Sequence, residues 1–445
     1  MLVTSSRSRC SGQVYVCFSV YISVAFFPSE SHAVSVMLAL GTFALSFFIR
    51  PVGAIVLGSF ADRKGRKPAL TLTIWLMFAG TLMIVLMPPA HVIGLAAPLL
   101  VLLARLVQGF AAGGEFGSAT SLMVEHLPDR RGFAASWQFT SQAMSTILAS
   151  VIGVAVTTTL TQEQLETWGF RRPFIVGLLV GPVGLYMRRH VPESPEFAAA
   201  QAETPKEAAA IGGVLRHHKL AVLLVIGAIA VSTCLNYFIT YVPTYAVDNL
   251  GMNSSAGFWA TLVSGLVLFF CTPVAGYFCD KVGRLTFMIP AALAVMVLTW
   301  VLFTWVVVAN ALSVLIVVVV IFSILKAAYY GPLASVMGDI FPTEVRGTGL
   351  SLGYNVGVAI FGGLTPLVAA WLIAITGDAK APAYWVLLAG ALSVGAILVV
   401  WKKLGVRLGR PCRIWGVVSA KRDRGEGAGS LSCSITTAAT ATPVH

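Results

Sequence analysis

The stretch Gly58-Ser59-Phe60-Ala61-Asp62-Arg63-Lys64-Gly65-Arg66-Lys67 decides how the rest of the chain is read. It is strongly charged and sits between two long apolar runs. Met37 to Leu57 carries one charge, Arg50, and Pro68 to Met87 carries none. Two membrane-length segments joined by so short a charged link form a tight hairpin, with the link expected as a loop in water. The pattern G-x-x-x-D-x-x-G-R recurs as Gly276-Tyr277-Phe278-Cys279-Asp280-Lys281-Val282-Gly283-Arg284, 218 positions later and again between apolar runs. A repeat at half-length in a membrane chain is the mark of a transporter built from two similar halves.

Composition points the same way. Of 445 residues, 57% are hydrophobic and 11% charged, against roughly 25% charged in soluble domains. The apolar runs are long enough to cross a hydrocarbon core of roughly 30 Å. They are continuous, which predicts helices and excludes the alternating ten-residue strands of a barrel. The net charge of +12 lies in short inter-span links and in the tail, so no nucleic-acid partner is implied. The seven cysteines show no C-x-x-C pairing, which argues against a disulfide scaffold or a zinc site.

Twelve spans are predicted, at 12–28, 34–58, 68–88, 93–121, 134–157, 172–187, 219–245, 256–278, 286–308, 311–337, 347–375 and 383–401. The fold class is therefore an all-α membrane protein with twelve transmembrane helices in two six-helix halves. Residues 1–187 form the first half and 219–401 the second. Between them, 188–218 reads as a cytoplasmic linker, and 402–445 as a Gly/Ser/Thr/Ala-rich tail expected to be disordered. With both termini inside, the cytoplasmic links hold Arg63, Lys64, Arg66, Lys67, Arg130, Arg131, Arg188, Arg189, Lys281, Arg284 and Arg346, and the far side only Arg171, Arg172 and Lys380. That asymmetry sets the orientation.

Charges within spans are costly and mark function by default. Arg105 lies mid-way along the fourth span and Lys326 mid-way along the tenth, the fourth span of the second half. One cation per half suits an anion held between the halves. Arg offers a planar fork for a carboxylate and Lys a point charge. A structural ion pair, for instance Arg105 with Glu115, is the competing reading. Arg50, nearer the charged link, can reach the membrane surface. Glu115 is the one acid well inside a span. A carboxyl out of water takes and releases protons nearer neutrality, which makes it a proton-coupling candidate, with a gate-capping role as the alternative. Gln138, Gln142, Tyr241, Tyr354 and Asn355 are candidates for orienting a polar substrate, with helix packing as the alternative. Pro51, Pro243, Pro273, Pro332 and Pro366 are candidate kinks.

The charged links suggest gates. Asp62 and Asp280 can pair with Arg66, Arg284 or a base across the interface between halves. Gly58, Arg63, Gly65 and Gly283 complete the two copies. A second repeat sets Glu125, Asp129 and Arg131 against Asp339, Glu344 and Arg346. Positive loop charge alone accounts for the basic residues but not for the twice-placed acids. No phosphate loop, metal cluster or nucleophile–base spacing is present in the sequence, so neither an enzyme nor a cofactor is expected.

At these residues the chain resembles the major facilitator superfamily and, within it, the metabolite:proton symporters of bacterial inner membranes. The carrying motifs are Gly58 to Lys67, Arg105 to Glu115, Arg131-Gly132-Phe133-Ala134-Ala135-Ser136-Trp137-Gln138, Pro192-Glu193-Ser194-Pro195-Glu196-Phe197 and Phe341 to Gly362, within a match from Val14 to Trp401. The resemblance implies alternating access, with substrate and protons moving together. Family members carry citrate and other di- or tricarboxylates, 2-oxoglutarate, shikimate, or the osmolytes proline and betaine. Ser136-Trp137-Gln138 with Ser141 and Gln142 is nearest the citrate carriers. The chain departs from the family where a Glu-Trp-Phe-Asp segment usually opens the first span and Thr4 to Ser11 stand here.

The expectation is a monomeric proton symporter of the bacterial inner membrane, importing a small organic anion. An osmolyte symporter and a transporter-like sensor that binds without turnover are the alternatives. The orientation has a direct check. A reporter active only outside the cytoplasm is expected to be silent when fused after Lys67 or Lys402 and active when fused after Lys380; the opposite pattern reverses the topology.

Overall fold

The computed structural model describes residues 12–64, 66–113, 131–178, 218–341 and 346–403. Among them the regular structure is entirely helical, as continuous apolar runs require when each backbone amide must be satisfied within its own segment. Helix α1 (Ser19–Phe26) continues helical residues 12–17. It is followed by α2 (His32–Phe48), α3 (Arg50–Lys64), α4 (Arg66–Leu86), α5 (Ala96–Ala112) and α6 (Arg131–Thr159). The second half supplies α7 (Lys219–Asp248), α8 (Ala256–Val282), α9 (Arg284–Ala309), α10 (Leu312–Asp339), α11 (Arg346–Val358), α12 (Leu364–Thr376) and α13 (Pro382–Lys403). Eight described helical stretches are long and apolar enough to cross a membrane, and 71–86 and 96–112 are shorter apolar helices.

Two expectations need correction. The charged motif is helix rather than loop. Its first copy lies on the ends of α3 and α4, and its second runs to Val282 on α8 before Gly283 turns the chain. Charge does not stop a helix at the membrane surface, where water solvates it. What stops α8 is the conformation of Gly283, with φ 117°, which only glycine adopts without strain. The prolines also act unequally. Pro243, Pro273 and Pro332 lie inside continuous helices. Pro51 follows a break at Ile49, and Pro366 follows a π-helical turn over Ala359–Gly363. Each proline lacks an N–H and crowds the carbonyl four residues back, so the preceding turn re-forms differently.

The interior combines apolar packing with buried polar side chains, and the surface is apolar. Ser136, Gln138, Thr140, Ser145, Ser264 and Ser323 are buried among Phe43, Phe47, Phe238 and Phe322, whereas Leu103, Phe270, Val297 and Val301 are exposed. An apolar surface of this kind fits lipid as the solvent. The halves meet along two seams: α6 packs on α8 and α10, and α2 packs on α12 and the π turn. Small residues set the spacing. A Cβ on Gly276 would lie 2.8 Å from Ser136 Oγ and 2.9 Å from the Gly132 carbonyl oxygen. Gly109 and Gly113 bring α5 onto the Ser46 and Arg50 carbonyls in the same way.

Replacing Gly276 by Val overpacks the α6–α8 seam, at a cost of about 1–3 kcal/mol. At Gly41 an added methyl would have no neighbour within 4 Å, so Ala fits there. Thermal unfolding in detergent is expected to show a lowered midpoint for Gly276→Val and an unchanged or raised one for Gly41→Ala. Equal midpoints would mean the seam yields.

Candidate functional site

Arg105 and Lys326 are each only 2% exposed. Arg105 is on α5, with its guanidinium carbon 4.1 Å from the Tyr15 ring centroid and 5.2 Å from that of Phe43. One terminal nitrogen donates to Gln108 Oε1 at 2.6 Å, and Gln108 Nε2 donates to Thr81 Oγ1 at 3.1 Å. The Tyr15 hydroxyl is itself tied to Thr42 Oγ1 at 2.7 Å. The guanidinium is thus positioned by rings and neutral amides, while its Nε has no acceptor among the described residues.

Lys326, on α10, donates from Nζ to Asn236 Oδ1 on α7 at 2.7 Å and lies 4.9 Å from the Tyr330 ring centroid. Tyr330 stacks on Phe139 of α6, with centroids 4.1 Å apart. The second half's cation therefore rests on a ring supported from the first half. The reverse also holds. Phe43 and Phe47 of α2, beside Arg105, pack on Tyr237 of α7 with centroids 5.9 and 5.3 Å apart.

Among the described residues neither cation meets a carboxylate. Cation–π contacts are worth roughly 0.5–2 kcal/mol each, well short of the several kcal/mol that desolvating an ion costs. An anion is the kind of group that could supply the remainder. A carboxylate would accept from the free face of the guanidinium and supply a counter-charge to the ammonium.

The other candidates fall in three places. Gln138 and Gln142 are buried on α6. Tyr241 packs with Phe238 and Tyr245 further along α7, at 6.4 Å from each. Tyr354 is buried in the core, and Asn355 donates across the halves to the Gly113 carbonyl at 3.4 Å as well as to Ser351 at 2.9 Å. Gly65, Glu115 and Glu125 lie outside the described residues. Gly58, Asp62, Arg63, Arg66, Arg131 and Arg346 lie on described helices, with the backbone alone described. Gln13 and Tyr15 escaped the sequence reading; their polar atoms at the start of an otherwise apolar span were the available signal. Asn236, an amide in an apolar span, was legible as an interior-facing residue; Thr146 and Tyr330 look like ordinary span residues until the fold assembles them.

The two ends of the bundle are closed by different chemistry. At the motif end, Asp280 accepts from the Gly132 and Phe133 backbone N–H groups, each at 2.9 Å. Its carboxylate caps the N-terminus of α6, where unpaired amides and the helix dipole favour negative charge. Arg284, expected as a partner for Asp280, pairs with Asp339. Each acid therefore takes a different kind of donor. At the opposite end, Ser19 Oγ meets Thr244 Oγ1 at 2.8 Å, Thr244 donates to the Val16 carbonyl at 3.1 Å, and Phe18 packs on Phe258 at 4.9 Å. His32 and Asp248 approach to 3.4 Å outside them. Among the described residues the halves thus touch at both ends of the bundle, with both cations buried between.

Known proteins match this sequence and this fold. The Major Facilitator Superfamily profile matches residues 10–352. The citrate-proton symporter of Salmonella typhi is 35% identical over 391 residues, covering 87% of this chain and 89% of that protein. The citrate-proton symporter of Klebsiella pneumoniae is 34% identical, covering 88% of each. The proline/betaine transporter of Salmonella typhimurium is 30% identical, covering 86% of this chain and 78% of its own. In fold, a crystal structure of a D-xylose-proton symporter superposes with a TM-score of 0.70 at 19% identity, covering 90% of this chain and 96% of that one.

The cap on α6 has a measurable consequence. Removing an N-terminal capping carboxylate costs about 1–2 kcal/mol. Cys279, 1% exposed beside this contact, reports on it. In a protein with Cys279 as its one cysteine, Asp280→Ala is expected to raise maleimide labelling roughly 5- to 30-fold. Cys17, buried at the opposite end, should label no faster in its own single-cysteine background. An unchanged Cys279 rate would show that the cap does not hold this end shut.

Proposed function

The chain belongs to the major facilitator superfamily, and from that premise we propose that it is a proton-coupled symporter importing a small organic anion, a di- or tricarboxylate such as citrate, by alternating access. The observation that carries this reading is the pair of buried cations, one from each half, held by neutral groups with donor capacity to spare. A substrate with carboxylates at both ends bridges Arg105 and Lys326. It thereby offsets the desolvation of both and draws the halves together. Gln138, Gln142 and Asn236 orient it from α6 and α7. The higher identity to the citrate-proton symporters than to the S. typhimurium proline/betaine transporter supports the anion over the osmolyte. A zwitterion needs one cation for its one carboxylate and would leave the other uncompensated.

Proton coupling follows from the electrical work. Carrying one negative charge into a negative-inside cell costs about 2.3 kcal/mol per 100 mV. A polyvalent anion accumulates only if cations accompany it, and the proton symport of the relatives favours protons. We assign Glu115 to that step from its place in the Arg105 to Glu115 stretch. The motif end faces the cytoplasm of a bacterial inner membrane, with both termini inside and the bilayer as the protein's solvent.

Opening that end means withdrawing Asp280 from α6. By the sequence repeat, Asp62, with Gly58, Arg63, Gly65 and Arg66, does the equivalent at the N-terminus of α11. Glu125, Arg131, Asp339 and Arg346 complete the two charged clusters, and Gly283 provides the turn. The protein acts as a monomer, because each half supplies one cation and no second copy is required.

Labelled citrate uptake into proteoliposomes tests the reading. With an inward proton gradient, concentrative uptake is expected; without one, it should fall to the background of empty vesicles. Losing a charge-assisted buried contact is worth about 1.5–3 kcal/mol. Arg105→Ala and Lys326→Ala should therefore each cut uptake at low citrate by roughly 10- to 100-fold. Gradient-driven uptake of proline or betaine with none of citrate or other carboxylates would replace the organic acid by an osmolyte.

A further inference from the structure

A second set of buried polar atoms is unsatisfied, and it does not belong to the cations. Among the described residues, Gln13 Oε1 meets no donor and Gln142 Nε2 meets no acceptor. The two residues are 5% and 7% exposed. Thr146 bonds to the backbone of one and the side chain of the other. Its hydroxyl donates to the Gln142 backbone carbonyl at 3.2 Å and accepts from the Gln13 side-chain Nε2 at 2.8 Å. Gln142 and Thr146 are four residues apart on α6, so their side chains are neighbours on one helix face.

The arrangement fixes the direction of each bond. A threonine hydroxyl has one proton, and here the Gln142 carbonyl takes it. Gln13 must then present its NH2 to Thr146, which leaves its carbonyl oxygen as the free atom. Among the described residues the pair leaves an acceptor atom, Gln13 Oε1, and a donor group, Gln142 Nε2, without partners. A carboxylate only accepts and an ammonium only donates. A hydroxyl does both, and on a small acid whose carboxylates are engaged by the two cations it is the group that remains.

We propose that Gln13 and Gln142 form a hydroxyl-reading subsite, so that the transported acid is a hydroxycarboxylate and its deoxy analogue is discriminated against. The substrate hydroxyl donates to Gln13 Oε1 and accepts from Gln142 Nε2 while its carboxylates engage Arg105 and Lys326. The inference rests on the carboxylate reading of those two cations and adds the feature that separates one carboxylate from another. Sites built around a substrate hydroxyl reject the analogue lacking it, because the protein's own polar atoms are then left buried and unpaired.

The test compares citrate with propane-1,2,3-tricarboxylate, which is citrate without its hydroxyl. Each unlabelled acid competes with labelled citrate for uptake into proteoliposomes. In the unaltered protein the deoxy acid is expected to inhibit roughly 10- to 100-fold more weakly, the factor for one or two lost buried hydrogen bonds. Gln142→Leu and Gln13→Leu should each weaken citrate toward the deoxy acid while leaving the deoxy acid's inhibition unchanged or stronger. Arg105→Ala should weaken both acids alike, which separates this subsite from the charge site.

Equal inhibition by the two acids in the unaltered protein overturns the proposal and needs no variant. Discrimination that survives both leucine variants also overturns it, and assigns the pair to a bound water. If neither acid competes, malate and succinate, a dicarboxylate pair differing by the same hydroxyl, take their place. Failure of all four removes the carboxylate reading and this one with it. Carboxylate transport blind to the hydroxyl removes this one alone.

Discussion

Arg105 and Lys326 are ions held where an ion should not be. Moving either from water into the bundle costs several kcal/mol after relaxation. Tyr15, Phe43, Gln108, Asn236 and Tyr330 return part of that through ring faces and amide dipoles. None of these partners carries a negative charge. The surrounding packing carries the cost of keeping both cations buried. On the proposed function, an anion bridging them would relieve that cost in both halves at once. Substrate binding and the approach of the halves would then be one event, as alternating access requires.

The ends are held by weaker and more local forces. At the motif end, one carboxylate caps a helix N-terminus in the other half, and a glycine at each contact lets the backbones approach. At the opposite end, two hydroxyls, a backbone carbonyl and an aromatic pair do the same work through neutral groups. Each set is worth a few kcal/mol at most, and each shares no partner with the other. Either end can part while the other stays closed. The break at Ile49 before Pro51 and the π turn before Pro366 lie on α2–α3 and α11–α12, the elements of the second seam. Both helix irregularities therefore lie on the seam between the halves.

Much of this was legible in the chain. The half-length repeat, the long apolar runs and the two mid-span cations follow from spacing and hydropathy, because lipid imposes a one-dimensional rule: about twenty apolar residues, with exceptions that face inward. The helical state of the charged motif was not legible. Its composition resembles a loop, and the stop lies in the φ of Gly283. Nor was the partner of Asp280. Sequence offers side-chain cations for an acid, whereas here the donors are backbone amides of a helix more than a hundred residues away.

The sequence by itself determined the solvent, the number and kind of spans, the two-fold repeat and the presence of a mid-span cation in each half. These are properties of composition along a line, and the bilayer reads them one segment at a time. Tertiary structure alone decided which neutral groups hold those cations. It also decided that Thr146 takes the Gln13 amide while Gln13 Oε1 and Gln142 Nε2 are left without partners among the described residues, and that the halves touch at both ends. Those facts depend on which helix faces meet. Distant segments such as the first span and α6 come within hydrogen-bond distance only when the whole bundle has packed.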